Sequence, residues 1–318
     1  MEYKYDLSII ICLFNEKESL PELYDWIRRS LEGRSYELIF VDDGSTDGSW
    51  DCILSFAREN PDVRGIRFRR NYGKSAALYE GFRTACGKVV VTMDADLQDS
   101  PEEIPELYRM ITEEGWDLVS GWKQHRKDNK LTKNLPSKLY NATARKVTGL
   151  KLHDMNCGLK AYKNEVVKAI EVYGDMHRYI PYLAKNAGYT RITEMPVHHQ
   201  KRKYGKSKFG LDRFVHGFLD LMSLWFLGKF SKKPMHFFGA TGLLTFLAGG
   251  IMALWIIARK LIYQAQGLSF RHITDQPLFY LSLLMVVIGC MFFCTGFICE
   301  MVSRNSTRRN EYNIKERL

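Results

Sequence analysis

The stretch Val91-Thr92-Met93-Asp94-Ala95-Asp96-Leu97-Gln98-Asp99 joins an apolar, β-branched run to closely spaced carboxylates. Such a run favours a buried strand, and in an open parallel sheet ligands bind beyond the carboxyl ends of the strands. Asp94 and Asp96 are then able to face one crevice, where two carboxylates suit Mg²⁺ or Mn²⁺ and leave positions for substrate phosphates. A solvated turn is the alternative, since aspartate is common at turns.

Strand-like and helix-like segments alternate around this stretch, through residues 7–121. Helices are predicted to begin at Ser19, in a capping box completed by Glu22, and at Ser100, which is followed by proline. Further helices are predicted before Asn60, at Ser75–Ala85 and at His177–Asn186. Strands are predicted at Leu7–Leu13, Tyr36–Val41, Gly65–Phe68, Lys88–Met93 and Asp117–Ser120. This alternation predicts an α/β fold with a parallel sheet and a ligand crevice at its strand ends.

The composition narrows the class of protein. The chain has 318 residues and a formal net charge of +10, which predicts attraction to anions such as nucleic acid, anionic lipid or nucleotide-sugar phosphates. The seven cysteines include no Cys-x-x-Cys pair, so packed thiols in a reducing compartment are expected rather than a disulfide framework. The first residues lack the basic-then-apolar pattern of a secretory signal.

Two long segments carry no charged residue, Phe237–Ala258 and Pro277–Cys299. Each exceeds the ~20 apolar residues that cross a bilayer as a helix, and a buried globular hairpin is the alternative. Basic residues precede the first segment and follow the second. The positive-inside rule therefore predicts that both termini and the large N-terminal domain face the cytoplasm.

The segment Gly210–Phe230 has a wide apolar face beside a few charges. It is either a core helix or a helix that lies on the bilayer surface, and its position before a predicted span favours the second. The predicted organisation is an α/β domain at 1–209, an interfacial helix at 210–233, a transmembrane pair at 234–303 (about 235–258 and 277–301) and a basic tail at 304–318.

Four motifs in the first half of the chain match the order found in one enzyme family. They are Ser8–Glu16, Val41–Asp47, Arg70–Leu78 and Asp94–Asp99. Together they resemble the family-2 glycosyltransferases of the GT-A fold, and among these the polyprenyl-phosphate glycosyltransferases similar to dolichyl-phosphate mannose synthase. The family's usual Pro-x-Tyr-Asn-Glu is Cys12-Leu13-Phe14-Asn15-Glu16 here, and its Gln-Asp-Pro is Gln98-Asp99-Ser100-Pro101.

Two later motifs place the chain within the family. Asp154–Lys160 resembles the acceptor-side motif of the bacterial lipid-phosphate members, and Lys203–Phe209 resembles the mobile loop that closes over the donor and acceptor phosphates. No tryptophan follows an arginine, whereas the processive polysaccharide synthases carry Gln-x-x-Arg-Trp. The comparison argues against a chain-building synthase.

The resemblance implies a mostly parallel, Rossmann-like GT-A domain and an inverting transfer. One sugar would move from a UDP- or GDP-sugar donor to a polyprenyl phosphate (undecaprenyl or dolichyl) at the cytoplasmic face of the membrane, as in the bacterial inner membrane. It implies Mg²⁺ or Mn²⁺ as cofactor and a homo-oligomer, with a tetramer known among relatives. No nucleic-acid partner is expected, because the chain lacks an interleaved aromatic–basic strand motif.

By the same resemblance, Asp96 and Gln98 bind the metal, with Asp94 as a third ligand or as a contact to the ribose or sugar. The catalytic set is Asp94, Asp96, Asp154 and Arg202, and the donor nucleotide contacts Glu16, Asp42, Asp43, Asn71, Lys74 and Asp94. An Asx-type turn is the alternative for Asp42 and Asp43, and a surface charge is the alternative for Lys74.

A lipid phosphate is already anionic at neutral pH, so its site needs cations more than a strong base. Surface charges are the alternative for each candidate, and a loop cap is the alternative for Asp154 as a base or orienting group. Trp122 either stacks on the sugar or closes the sheet edge. The acceptor candidates are Arg126, Lys133, Lys138, Arg145, His199, Arg202, Lys206, Ser207 and Lys208.

Two other functions compete with this interpretation. A membrane-anchored transferase acting on a hydroxyl of a glycolipid or diacylglycerol would need a strong base and few acceptor-side cations, and the basic segment Lys201–Lys208 argues against it. A non-enzymatic scaffold is disfavoured because Asp94, Asp96 and Gln98 are all present.

Overall fold

The computed structural model describes residues 3–124, 145, 148–204, 226, 230, 234–268 and 271–304. The chain forms two compact units, Met1–Met222 and Ser223–Leu318. The predicted interfacial helix at 210–233 lies almost entirely outside the described residues, and so does the predicted tail beyond Arg304.

The first unit contains a seven-stranded sheet in the order β3-β2-β1-β4-β6-β5-β7. Pairing is parallel among β1 to β4 and between β5 and β7, whereas β6 is antiparallel to both neighbours. The strands are β1 (Tyr5–Leu13), β2 (Tyr36–Asp42), β3 (Val63–Arg67), β4 (Gly87–Asp94), β5 (Leu118–Trp122), β6 (Lys160–Lys163) and β7 (Ile192–Pro196). The mostly parallel α/β fold is confirmed, and the short β6 is the strand that runs in the opposite direction.

Helices cover both faces of this sheet, as its doubly buried central strands require. In the described part of this unit the main helices are α1 (Leu20–Ser30), α2 (Ser49–Glu59), α3 (Lys74–Thr84), α4 (Ile104–Thr112), α5 (Asn164–Ala169) and α6 (Ile180–Asn186). Ile9, Ile10 and Ile11 of β1 are fully buried, so successive side chains pack on opposite faces. The interior strands therefore hold their carboxyl ends in fixed positions.

The two predicted helix starts have different outcomes. Ser100 does cap, since its Oγ accepts a hydrogen bond from Glu102 N at 3.3 Å, and a 3₁₀ turn, Pro101–Glu103, leads into α4. The capping box at Ser19 is wrong. Ser19 already has helical backbone angles, and its hydroxyl donates to the Glu16 carbonyl at 2.9 Å.

The second unit contains two long helices, α7 (Pro234–Ala265) and α8 (Pro277–Arg304). By length and composition both are able to cross a membrane. They pack closely, because a Cβ at Gly289 would lie 2.6 Å from the backbone nitrogen of Phe246. Small residues permit such close approach between apolar helices. Helix α7 continues beyond the predicted end of the first span, since Arg259 and Lys260 remain helical.

Candidate active site

The carboxyl ends of three neighbouring strands lie level with one another. Cys12 pairs in register with Asp94 of β4, and Leu13 pairs with Asp42 of β2. The loops that follow β1, β2 and β4 therefore emerge side by side, which is where an open α/β sheet binds ligands.

Asp42 and Asp43 organise the loop after β2. Asp42 Oδ1 accepts a hydrogen bond from Ser45 N at 2.8 Å, which is the Asx-type turn. Asp43 reaches the next loop and accepts hydrogen bonds from Tyr72 N at 2.7 Å and Gly73 N at 2.9 Å. Burial raises the pKa of Asp43, and these two amide bonds oppose the rise. Both carboxylates thus shape the predicted nucleotide side, and Asn71 is exposed next to them.

The loop after β1 is fastened to the loop after β2. Asn15 adopts a left-handed backbone with φ of 56°, its Oδ1 accepts a hydrogen bond from Thr46 N at 2.9 Å, and its N donates to Ser45 Oγ at 2.9 Å. The next residue, Glu16, accepts a hydrogen bond from Arg202 Nη2 at 2.6 Å. The Asn-Glu pair of the first motif therefore fixes the loop with one residue and presents a carboxylate with the other.

Asp94 ends β4 and is held from two sides. Its Oδ1 forms a very short ion pair with Lys74 at the start of α3, and a Cβ added to Gly158 would lie 2.5 Å from its Oδ2. Burial would raise the pKa of Asp94, but Lys74, and more weakly Lys123 and Lys160, lower it to about 2. Asp94 is therefore ionised, and it packs closely against Gly158, which has no Cβ to occupy that space.

Asp96 lies close to two other carboxylates, those of Asp94 and Asp99. Its Oδ1 accepts a hydrogen bond from Gln98 N at 3.2 Å across a left-handed Leu97, whose φ is 60°. Burial, followed by the charges of Asp94 and Asp99, raises the pKa of Asp96 to about 6. Asp99 is fully buried and pairs with Lys123 Nζ at 2.7 Å. Three carboxylates thus crowd together within six residues of chain.

These residues fit a divalent cation. No group of three or more His, Cys, Asp or Glu side chains in the described part of the chain forms a metal site by itself, and the predicted set relies on Asp96 together with the amide oxygen of Gln98. The crowding that raises the pKa of Asp96 is the kind of charge excess that a bound cation relieves. Mg²⁺ and Mn²⁺ commonly take few protein oxygens and complete their shell with substrate phosphates and water.

A segment near the end of the described domain crosses this metal motif. His199 forms a backbone bridge to Asp99, and Gln200 N donates to the Gln98 carbonyl at 2.9 Å. Arg202 Nη2 then lies 2.6 Å from Glu16 and 3.8 Å from Asp96 Oδ2. The structure therefore brings Arg202, predicted on the acceptor side, against two carboxylates of the predicted donor and metal sites.

The remaining acceptor candidates are only partly described. Asp154 is buried and its Oδ1 accepts a hydrogen bond from Asn156 N at 3.0 Å, so it does cap its loop. Arg145 is half-buried and its carbonyl accepts a hydrogen bond from Gly149 N at 2.8 Å. Trp122 stacks on His153 with ring centres 4.3 Å apart. Arg126, Lys133, Lys138, Lys206, Ser207 and Lys208 lie outside the described residues.

Three residues next to the site were given no chemical role from the sequence: Lys123, Lys160 and His177. Lys123 pairs with Asp99, Lys160 is 3% exposed, and the ring of His177 lies 3.1 Å from Ser75 Oγ. The sequence signals for Lys160 were its place at the end of the acceptor-side motif Asp154–Lys160 and its position between the apolar residues Leu159 and Ala161.

Comparisons with known proteins identify the relatives of this chain. Residues 8–171 match the family described as glycosyl transferase family 2. The dodecaprenyl-phosphate galacturonate synthase of Rhizobium johnstonii is 33% identical over 95% of this chain and 89% of its own length. The undecaprenyl-phosphate 4-deoxy-4-formamido-L-arabinose transferase of Shewanella sediminis is 38% identical over 94% of this chain and 87% of its own.

Solved structures match the fold more distantly. A glucosyl-3-phosphoglycerate synthase from Mycobacterium tuberculosis in complex with uridine diphosphate superposes with a TM-score of 0.53 and 20% identity, over 71% of this chain and 80% of that one. The same enzyme with Mn²⁺, uridine diphosphate and phosphoglyceric acid superposes with a TM-score of 0.53 and 19% identity, over 71% and 78% of the two chains.

Proposed function

The chain belongs to glycosyl transferase family 2, and from that premise we propose that it transfers one sugar from a nucleotide-sugar donor to a polyprenyl phosphate. The observation that carries the proposal is the extent of the similarity. Relatives named for polyprenyl-phosphate sugar transfer match about 95% of the chain, including the apolar helices α7 and α8 beyond the family domain. An apolar helix pair suits an enzyme whose acceptor is dissolved in a membrane.

The donor nucleotide would bind over the loops after β1 and β2, against Glu16, Asp42, Asp43 and Asn71. A uridine nucleotide is the first choice, because solved structures of the same fold hold uridine diphosphate. The two relatives suggest galacturonate and 4-deoxy-4-formamido-L-arabinose as candidate sugars. The first bears a carboxylate and the second does not.

Asp96 and Gln98 would hold Mg²⁺ or Mn²⁺, with Asp94 beside them. When bound, the cation supplies Lewis-acid stabilisation of the charge that develops on the leaving diphosphate. Lys74 and Arg202 add fixed positive charge around the same position, since each already contacts a carboxylate of the site. Such prearranged charges act most strongly in a partly buried site.

The acceptor phosphate would attack the sugar carbon directly. It is anionic at neutral pH, so the chain needs to align and neutralise it rather than remove a proton. No general base is then required, and the hydrogen bond from Asn156 N to Asp154 Oδ1 is consistent with a structural role for Asp154 in the acceptor-side loop. Arg145, Arg202 and the basic residues outside the described part remain the candidates for holding the phosphate.

The membrane arrangement is part of the same proposal. Helices α7 and α8 would span the bilayer, with the catalytic unit and both termini in the cytoplasm, and a homo-tetramer follows from the resemblance alone. Cysteine labelling from either side of sealed vesicles tests the orientation at a cysteine introduced near residue 268, and cross-linking in detergent tests the assembly.

The decisive experiment uses the full chain in detergent with Mg²⁺ or Mn²⁺, undecaprenyl phosphate and a panel of nucleotide sugars. We expect release of nucleoside diphosphate that requires both the lipid and one donor, together with a lipid-linked sugar detected by mass spectrometry. Release that is unaffected by the lipid would overturn the proposal and favour a hydroxyl acceptor. Asp96→Asn is the inactive control, and Asp25→Asn, on the exposed face of α1, is its matched active control.

A further inference from the structure

Strand β6 carries a buried lysine into the neighbourhood of Asp94. Lys160 pairs in antiparallel register with Thr92, so the two side chains share a face of the sheet with Asp94, two residues further along β4. Lys160 is 3% exposed, and its Nζ donates a very short hydrogen bond to the Cys157 carbonyl. Among the described residues no carboxylate lies within ion-pair distance of it.

The turn that carries His177 and Arg178 lies beside the start of α3. The 3₁₀ turn Met176–Tyr179 packs against the start of α3, where Ser75 Oγ accepts a hydrogen bond from His177 N at 3.1 Å and lies 3.1 Å from His177 Nδ1. The residue before Ser75 is Lys74, which contacts Asp94. The next residue of the turn, Arg178, has a buried Nε with no hydrogen-bond partner in the described part of the chain.

We call Lys160, His177 and Arg178 the Lys160 cluster, which lies beside the donor-side residue Lys74. Burial, then the charges of Lys74, Arg178 and Lys160, lower the pKa of His177 to about 2, so its ring is neutral at physiological pH. Ser75 Oγ accepts from the His177 backbone, and we assign its own proton to the bond with Nδ1 and the ring proton to Nε2. Burial also lowers the pKa of Lys160. The cluster therefore offers two cations, Lys160 and Arg178, and a neutral donor. The carboxylates that act on Lys160 are Asp154 and Asp94, and Asp94 is already paired with Lys74.

A comparison along β6 shows that this imbalance is local. Lys163, three residues from Lys160, pairs with Asp117 at 2.7 Å. A buried cation without a counter-ion is unfavourable by several kcal/mol, and an anionic ligand removes that penalty. Lys160 pairs with Thr92, two residues before Asp94, whereas Asp96 and Gln98 follow Asp94 in the chain.

We propose that the Lys160 cluster binds an oxyanion of a substrate other than the donor diphosphate. Two groups have this chemistry: the carboxylate of a uronic-acid sugar on the donor, and the phosphate of the lipid acceptor. The inference rests on the proposed function, because it assumes a sugar donor on one side of Asp94 and a lipid phosphate as the second substrate.

The test measures binding directly, so it does not depend on turnover. UDP-glucuronic acid and UDP-glucose differ only at carbon 6 of the sugar, and their Kd values are measured with Mg²⁺ for the full chain in detergent. The Kd of undecaprenyl phosphate is measured separately. The variants are Lys160→Met, Arg178→Met and the conservative Lys160→Arg, and the matched control is Lys88→Met, an exposed lysine of the adjacent strand β4.

If the sugar carboxylate is the ligand, the wild type binds UDP-glucuronic acid at least about tenfold more tightly than UDP-glucose. Lys160→Met and Arg178→Met then remove this preference without changing the Kd of UDP. If the acceptor phosphate is the ligand, the same variants weaken undecaprenyl phosphate by at least about tenfold and leave both donors unchanged. In either case Lys160→Arg restores most of the binding and Lys88→Met has no effect.

The inference is overturned if folded Arg178→Met and Lys160→Met bind both donors and the lipid as the wild type does. It is also overturned if they weaken UDP itself as much as the two UDP-sugars, because the cluster would then serve the diphosphate. Arg178→Met keeps the test valid if Lys160→Met does not fold, since Arg178 is only half-buried. Loss of the proposed function is distinguishable, because it would appear as no lipid-dependent release by the wild type.

Discussion

Buried charged side chains at the two ends of the sheet in the first unit differ in their hydrogen-bond and ion-pair partners. At the amino end, Glu37 is fully buried, and its Oε1 accepts hydrogen bonds from Ser8 Oγ and Cys86 N, both at 2.6 Å. Its Oε2 lies 3.4 Å from Arg64 Nε. At the carboxyl end, Asp96 has two carboxylates as its neighbours, and a single carbonyl is the partner of Lys160.

The difference separates structural charges from functional ones. Charges at the amino end have their partners within the chain, so they hold the sheet together and are indifferent to ligand. Charges at the carboxyl end are balanced only in part, as is common where a site binds a substrate or cation. The comparison predicts that substitutions at one end change the free energy of unfolding and substitutions at the other change activity.

The largest expected effect is on activity, from Asp96→Asn. The variant removes the charge that would hold the cation, so we expect kcat for lipid-dependent nucleotide release to fall on the order of 1,000-fold. Single-turnover kinetics at saturating metal measure it. Activity within a few fold of wild type would remove Asp96 from the metal site, and Asp25→Asn reports any general effect of losing a carboxylate.

The opposite end should respond through stability. Glu37→Ala leaves Ser8, Cys86 N and Arg64 without their acceptor, so we expect the free energy of unfolding to fall by about 3 kcal/mol. The kinetic constants of the folded fraction should stay within about twofold, because no residue of the site contacts Glu37. Thermal melts in detergent with parallel assays measure both, and Glu32→Ala, at an exposed position, is the control. A loss of kcat without a loss of stability would contradict the comparison.

A smaller effect is expected from Gly158→Ala. The added Cβ would lie 2.5 Å from Asp94 Oδ2, so Asp94 must move relative to Lys74. We expect kcat/KM to fall roughly 10- to 100-fold, with little change in melting temperature. The control is Gly250→Ala in α7, where an added Cβ meets nothing within 4 Å. Unchanged kinetics in the Gly158 variant would mean that the position of Asp94 is not critical.

The smallest effect is on the free energy of unfolding, from Asp96→Asn at the carboxyl end of the sheet. This substitution is expected to stabilise the protein, whereas Glu37→Ala is expected to destabilise it. Asp96 keeps its proton up to about pH 6 when folded but loses it near pH 4 when unfolded. The folded state therefore binds more protons, so stability falls as the pH rises from about 4 to about 6, and the full penalty persists above that range. We expect metal-free Asp96→Asn to be more stable than wild type by about 2 kcal/mol at pH 7.5.

This stabilisation should disappear below about pH 4, where both forms are neutral at position 96. Chemical denaturation at several pH values, with a chelator present, measures the trend. A variant that is less stable than wild type at pH 7.5 would show that Asp96 is a structural charge like Glu37.

The parts of the fold that sequence predicts are those held by local patterns. β1, β2 and β4 are long apolar runs between clear helix signals. Asp94 and Asp96 lie at or just after the end of β4, so the nine residues Val91–Asp99 are enough to predict where the site lies. β6 has only four residues and begins with a lysine, so it is too short for its sequence pattern to predict a strand. Its existence depends on pairing with β4 and β5.

The association of the Lys160 cluster residues could not be predicted for the same reason. His177 and Ser75 meet although 102 residues separate them, and the contact depends on how the turn before α6 packs on α3. The capping box failed through competing hydrogen bonds: the Glu16 carbonyl accepts from the hydroxyl of Ser19, and the Glu22 carboxylate accepts from Lys203 Nζ at 2.7 Å. Arg202 was expected at the acceptor, and only the tertiary path of residues 199–202 brings it to Glu16.

Leu97 has a consequence for how a cation would be captured. Its left-handed backbone is unfavourable for a branched side chain by about 1 kcal/mol or more, yet the residue is 4% exposed and anchored in the core. The conformational entropy lost in ordering Asp96 and Gln98 on one turn is therefore lost on folding, before any ion binds. The pair is preorganised, so capture of the ion would be limited by the release of its hydration water rather than by ordering of the protein.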